Sequence, residues 1–260
     1  MIGSLIGPAR SGADEIDSAT HWLSRGRVKK YRRGQPIIEI GQPLDEWIVL
    51  SKGAACCSAR TGGSSTVVVG TLWLGDVIGA VSPLGHHVAR FGVTALVDVT
   101  TLQLPSSQLA SADAAAGAKE TGDLYLATAE RLQSQIARRL AGNGLQRLVS
   151  VLGILAEALH PVARAYGATS NLIMPVSQTR LGALAGLSRR QCWIYLGHLR
   201  ERGWVVPNRS SVALEFLPAW LRLNAVVERE GMDCIGTMDK CDATLKSIVT
   251  LMISPDGPAI

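Results

Sequence analysis

From Val28 to Leu104 the sequence sets short apolar runs between glycine turns, and after Pro105 it abandons that rhythm. The runs are Pro36-Ile37-Ile38, Trp47-Ile48-Val49-Leu50, Thr66-Val67-Val68-Val69, Val77-Ile78, Phe91-Gly92-Val93-Thr94 and Val99 to Leu104. Runs this short, rich in β-branched residues and bounded by turn residues, are strands. Gly34, Gly41, Gly53, Gly62, Gly63, Gly70, Gly75 and Gly85 punctuate them at the spacing of a small antiparallel barrel or sandwich. The expectation is a cupin-like β-roll over residues 1–110 within an α+β chain.

Beyond Pro105 the period changes. From about Glu120 to Ala141, Leu124, Thr128, Leu132, Ile136 and Leu140 recur at every fourth position, with Tyr125 and Ala129 beside them, which predicts one long helix. Its other face carries Glu130, Arg131, Arg138 and Arg139. A stripe so narrow suits a seam between two protomers built from Leu124, Leu132, Ile136 and Leu140; the alternative is that it packs on its own β-domain. Gly142-Asn143-Gly144 breaks the helix, because glycines around an asparagine favour a left-handed turn. Residues 111–143 are therefore assigned to a dimerisation helix. A second helix is expected from Leu145 to Leu159, with Leu148, Val151, Leu152, Leu155 and Leu159 inward and Pro161 ending it.

At 260 residues the chain is long enough for two cores, and 47% hydrophobic with 18% charged residues describes a folded protein. Met1 to Ala19 has no signal-peptide apolar core, and no segment runs 18 apolar residues, so a cytosolic chain without membrane contact is expected. Five cysteines occur: Cys56 beside Cys57, Cys192 alone, and Cys234 seven before Cys241. That spacing offers no disulfide framework, no metal motif and no iron–sulfur cluster. The net charge of +5 suits a phosphate-binding face without demanding one.

Function is carried further along. Ser177-Gln178-Thr179-Arg180 precedes inward Leu181, Leu184 and Ala185, Gly186-Leu187-Ser188 follows, and Arg189 to Arg202 resumes helical spacing with Cys192, Tyr195, Leu196 and Leu199. Ser177 and Ser188 are natural N-caps, and Gly186 permits the sharp turn between them. A second helix of this kind can enter the major groove, where Arg189, Arg190 and Gln191 on its first turn are suitable donors. Gly203 to Val206, Asn208 to Ser211 and Val212 to Phe216 then read as strand, turn and strand, a wing whose Arg209 can touch phosphate. The winged helix-turn-helix is assigned to residues 144–223. Residues 224–260 form a C-terminal extension whose role the sequence does not disclose, with a helix expected from Cys241 to Met252.

These parts, in this order, resemble the Crp/Fnr family of bacterial transcription regulators from about Val28 to Leu223. The residues carrying the resemblance are Gly34-Gln35-Pro36-Ile37, Gly41-Gln42-Pro43, Trp47 to Gly53, Gly75-Asp76-Val77-Ile78-Gly79, Leu181 to Arg190 and Leu199 to Gly203. The resemblance implies a cyclic-nucleotide-binding-like β-roll and a homodimer joined along the long helix. It also implies two recognition helices on a near-palindromic site in double-stranded DNA, and RNA polymerase as a partner. By position it places Ser177, Gln178 and Thr179 on phosphates, and Ser188, Arg189 and Arg190 at the groove. Members reading a TGTGA-like half-site have Glu and a second Arg where this chain has Arg190 and Ile194, so a different operator is expected.

The effector pocket departs too. Cyclic-nucleotide-binding members carry a Glu after the Gly-Asp-x-x-Gly turn and an Arg further on; here Ala80 follows Gly79, and Arg90 sits one residue out of register. On a strand that slip turns a side chain to the other face, which argues against a cyclic nucleotide. His86 and His87 fall where haem-containing gas sensors of the family place a ligand, so haem is a candidate, though two loop histidines are also ordinary solvated residues. Cys192, near Arg189 and Arg190, is either a redox thiol or a small packing residue. A cupin-like enzyme is the remaining alternative, but His86 and His87 without a nearby glutamate make a poor metal set, and no catalytic residues are assigned.

Overall fold

The computed structural model describes residues 26–62, 65–79, 87–105, 114–165 and 170–253. Among these described residues ten short strands come first: β1 (Arg27–Tyr31), β2 (Pro36–Ile38), β3 (Pro43–Leu44), β4 (Glu46–Lys52), β5 (Ala54–Gly62), β6 (Ser65–Trp73), β7 (Val77–Gly79), β8 (His87–Val88), β9 (Phe91–Ala95) and β10 (Val99–Pro105). They form antiparallel sheets in the orders β1-β10-β4-β7 and β2-β9-β5-β6, with β3 and β8 as a separate pair. Ile38, Leu50, Leu72, Val93 and Val99 fill the space between them. Glycine is required at Gly79, where φ is 129° and an added Cβ would lie 2.1 Å from the Glu46 carbonyl oxygen. The expected β-roll is present.

The long helix α1 (Ala114–Ala141) lies across β6 and β7. Its inner face is bound by polar contacts as much as by packing. The Thr128 hydroxyl accepts from the Val77 amide at 3.0 Å, and the Gln135 amide group both accepts from and donates to the Thr71 backbone, at 2.8 and 3.0 Å. Arg131 pairs with Asp76, a carboxylate buried to 1% exposure in the turn after Gly75. Leu132 packs against the β-roll core.

Helix α2 (Gly144–Ala165) follows the break at Gly142 and Asn143. Asn143 and Gln146 cap its start reciprocally: the Gln146 amide donates to Asn143 Oδ1 at 3.0 Å and the Asn143 amide to Gln146 Oε1 at 2.7 Å. The helix does not stop at Pro161 as expected but runs on to Ala165. Leu152, Leu155, Ala156 and Leu159 are buried along it, and this packing outweighs the one hydrogen bond that a proline removes.

The chain continues through β11 (Leu172–Met174), α3 (Gln178–Ala185), α4 (Arg189–Glu201), β12 (Val205–Pro207), β13 (Val212–Leu214), α5 (Leu217–Glu230), a 3-10 turn (Met232–Ile235) and α6 (Met238–Ile253). The three strands order as β11-β13-β12. One apolar core runs through α2 to α6 and also takes in Ala54, Cys56 and Leu96 of the β-roll. The C-terminal extension belongs to it, with Cys241, Leu245 and Ile248 buried. Among the described residues no helix is long and apolar enough to cross a membrane.

Candidate nucleic-acid interface

Two caps and one left-handed residue set α3 and α4 in place. Ser177 is extended at φ −68° and ψ 153°, and its Oγ accepts the Arg180 amide at 3.2 Å. Gly186 ends α3 at φ 62°, a conformation that costs a side-chain-bearing residue strain, and the next amide, of Leu187, returns to the Gly182 carbonyl at 2.8 Å. Ser188 opens α4 with a full capping box: its Oγ accepts the Gln191 amide at 3.2 Å while Gln191 Oε1 accepts the Ser188 amide at 3.0 Å.

Leu181, Leu184 and Ala185 of α3 and Cys192, Leu196 and Leu199 of α4 are buried between the helices. That leaves Arg189, Arg190, Trp193 and Ile194 exposed on α4, Trp193 to 62%. Beyond α4, β12 and β13 form a hairpin closed by the Asn208 amide on the Ser211 carbonyl at 2.8 Å, with Asn208, Arg209 and Ser210 exposed at its tip. A capped helix with an outward row of two guanidiniums and an indole, next to an exposed basic hairpin, has the dimensions and donors of a major-groove reader.

Thr179 is exposed and Gln178 half-buried at the start of α3, and the half-buried Ser177 spends an acceptor site on its cap. Gln191 is exposed, and its carbonyl oxygen is held by the Ser188 backbone and hydroxyl, so the side-chain group it can offer outward is its amide nitrogen, a donor. Trp193 was missed, although the inward spacing of Cys192, Leu196 and Leu199 puts it on the outside.

Other expected positions separate. Cys192 is a packing residue with no exposed surface, and burial pushes its thiol up to about 11, opposite to the direction a reactive thiol needs. In the effector cassette Ala89 is buried and Arg90 exposed, so the arginine lies on the outer side of the roll. Ala80 and His86 lie outside the described residues, and the backbone of His87 pairs with Leu44. Of the expected seam, Leu132 faces the β-roll and Leu124 is half-buried one turn before Thr128, whereas Ile136 and Leu140 are exposed, to 37% and 81%.

Residues 28–114 match the family model of the cyclic nucleotide-binding domain. A CRP-family transcriptional regulator of Thermus thermophilus superposes with a TM-score of 0.61 at 17% identity, over 76% of this chain and 96% of that one. A second regulator of that organism, of the CRP/FNR family, gives 0.60 at 16% identity, over 76% and 98%. A c-di-GMP-responsive global regulator of Xanthomonas campestris gives 0.57 at 16%, over 78% and 99%. The chain has the fold of the CRP/FNR regulators. Comparison with curated protein sequences finds no match. In that fold α3 and α4 correspond to the C-terminal helix-turn-helix.

Proposed function

We propose that this chain is a sequence-specific, DNA-binding transcription regulator that acts as a homodimer on a near-palindromic operator, and is not an enzyme. The observation that carries the reading is the outer face of α4, where Arg189, Arg190, Trp193 and Ile194 stand exposed on a helix fixed by its capping box. A large exposed indole is a poor choice for a solvated surface and a good one for an interface.

In the major groove Arg189 takes a guanine through its bidentate fork, Arg190 takes a second guanine or a phosphate, and Trp193 with Ile194 meets thymine methyl groups. The first turn of α3 offers backbone amides and the Ser177, Gln178 and Thr179 side chains to phosphate, and Arg209 does the same from the wing. The likeness to transcription regulators supports RNA polymerase as the partner. Arg90 on the outer side of the roll and Ala80 in place of a carboxylate support control by something other than a cyclic nucleotide. The packing of Cys192 leaves thiol chemistry out of this reading.

Genome-wide binding of the tagged chain supplies the operator, and fluorescence anisotropy then measures affinity on operator and random duplexes at one salt concentration. Arg189→Ala should cost about 1–3 kcal/mol on the operator and less on random DNA. Equal losses on both would remove the base-reading role.

A further inference from the structure

The sequence Arg27-Val28-Lys29-Lys30-Tyr31-Arg32-Arg33 puts five cations on and just after an edge strand, and the DNA-reading face uses none of them. Pairing of β1 with β10 sets Lys30 opposite Thr100 and Tyr31 opposite Val99. Lys30, Arg32, Arg33 and Lys52 thereby line one wall of an open cleft of about 1080 Å³. The facing wall comes from the other half of the molecule: Leu159 of α2 with Asn171, Leu172, Ile173 and Pro175. Arg33 spans the two halves, donating from its guanidinium to the Ser210 carbonyl at the wing tip at 3.4 Å.

The lining is unbalanced in charge. Asp98 is the one carboxylate among the lining residues, and its Oδ1 already accepts the Arg33 amide at 2.9 Å. Among the described residues no ion pair involves Lys30, Arg32 or Arg33. Against these cations stand apolar surfaces: Val97, Pro175 and Ile173, which is 70% exposed at the centre of β11. Lysines on an edge strand also discourage strand pairing, but that purpose needs no apolar wall contributed by a second domain.

We propose that this cleft binds a small organic polyanion with an apolar or aromatic body, its phosphate or carboxylate groups on Lys30, Arg32 and Arg33 and its body against Ile173 and Pro175. The volume is that of a site for a molecule of nucleotide or drug size, and guanidinium groups hold such oxygens through charge-assisted hydrogen bonds. The ligand touches both walls, so it favours the arrangement in which wing and roll are held together, and thereby couples its own binding to the readiness of α4. That regulatory consequence rests on the DNA-binding reading; the binding itself does not.

Calorimetric titration of the full chain, without DNA, tests the site with three probes: ATP, naphthalene-2,6-dicarboxylate and inorganic tripolyphosphate. At least one aromatic anion should bind once per chain and at least about tenfold more tightly than tripolyphosphate, and which of the two binds distinguishes phosphate from carboxylate. The double substitution Lys30→Ala with Arg32→Ala, and separately Ile173→Asp, should each weaken that binding by about tenfold or more with the melting temperature unchanged. Absence of binding up to millimolar concentration, or binding indifferent to both variants, overturns the proposal. So does a loss of random-duplex affinity by the double variant, in the absence of any small anion, as large as that of Arg209→Ala, because the cations then serve the DNA backbone. A chain that binds the anion but no DNA would leave the site standing and remove the regulator.

Discussion

Gln191 shows how local structure takes one end of a side chain, its carbonyl oxygen, and leaves the amide nitrogen to face outward. Its amide and side-chain oxygen close the capping box with Ser188, so Gln191→Ala should cost about 1 kcal/mol of stability, read as a lower melting temperature, with little change in which operator is preferred. A changed base preference at constant stability would return Gln191 to the reading face. Arg189 and Arg190 were legible from their place after a serine cap, and so was the burial of Cys192, whose spacing from Leu196 and Leu199 is that of an inner face. The competition for Gln191 was not resolved from sequence, because the same residue type at the third helical position serves either a cap or a base edge. For Cys192, a thiol pushed up to about 11 stays protonated through neutral pH. Iodoacetamide at pH 8 should therefore leave it unlabelled in the folded chain while the half-buried Cys234 reacts first, and labelling of Cys192 at the rate of a free thiol would contradict its packing.

At the scale of one element, α1 explains why its periodicity was read only in part. Positions four apart advance about 400° around an α-helix, so a row stepping by four drifts about 40° each time. Across Leu124, Thr128, Leu132, Ile136 and Leu140 that drift carries the row from the β-roll face to the outside, and the structure finds Leu132 packed on the roll and Leu140 exposed. The exposed row steps alternately by three and four: Leu126, Ala129, Gln133, Ile136 and Leu140. That is the spacing of a two-stranded seam, with small Ala129 admitting close approach and Gln133 a polar position that can fix register. Burying Leu126, Ile136 and Leu140 against a second copy gives each roughly 1.5–3 kcal/mol at most. On the proposed dimer, light scattering should give the parent chain the mass of two copies and Ile136→Glu with Leu140→Glu that of a folded monomer. Leu132→Glu should instead destabilise the β-roll itself, and the reverse pattern would place the seam on the other face.

At the scale of the whole molecule, the strands of the β-roll and the helices of the winged helix-turn-helix were readable one by one, because short apolar runs between glycine turns, serine caps and helical spacings are local signals, whereas pairings such as β1 with β10 or β11 with β13 join residues far apart in sequence. What joins the two domains was not readable, since the joining groups are scattered. The C-terminal segment shows this most plainly. Asn143 Nδ2 donates to the Gly236 carbonyl at 2.8 Å and Gln146 Nε2 to the Met232 carbonyl at 2.7 Å, so the segment grips the turn between α1 and α2. Farther on, Arg202 bonds Asp239 at 2.9 Å and the Trp204 indole donates to Asp242 at 2.8 Å, so α6 also holds the end of α4 and the start of the wing. The 3-10 turn with Gly236 thus ties down the start of α2, and α6 ties down the junction of α4 with β12. Deleting residues 237–260 removes buried Leu245 and Ile248, each about 1.5–3 kcal/mol of apolar burial, and uncovers Trp204. The truncated chain should melt several degrees lower and lose affinity for operator DNA. The milder Asp242→Asn, which keeps the packing and weakens the hydrogen bond to Trp204, should lower the melting temperature by less and leave the fold intact. A truncated chain that melts with the parent and binds the operator equally well would mean that α6 covers the domain without bracing it.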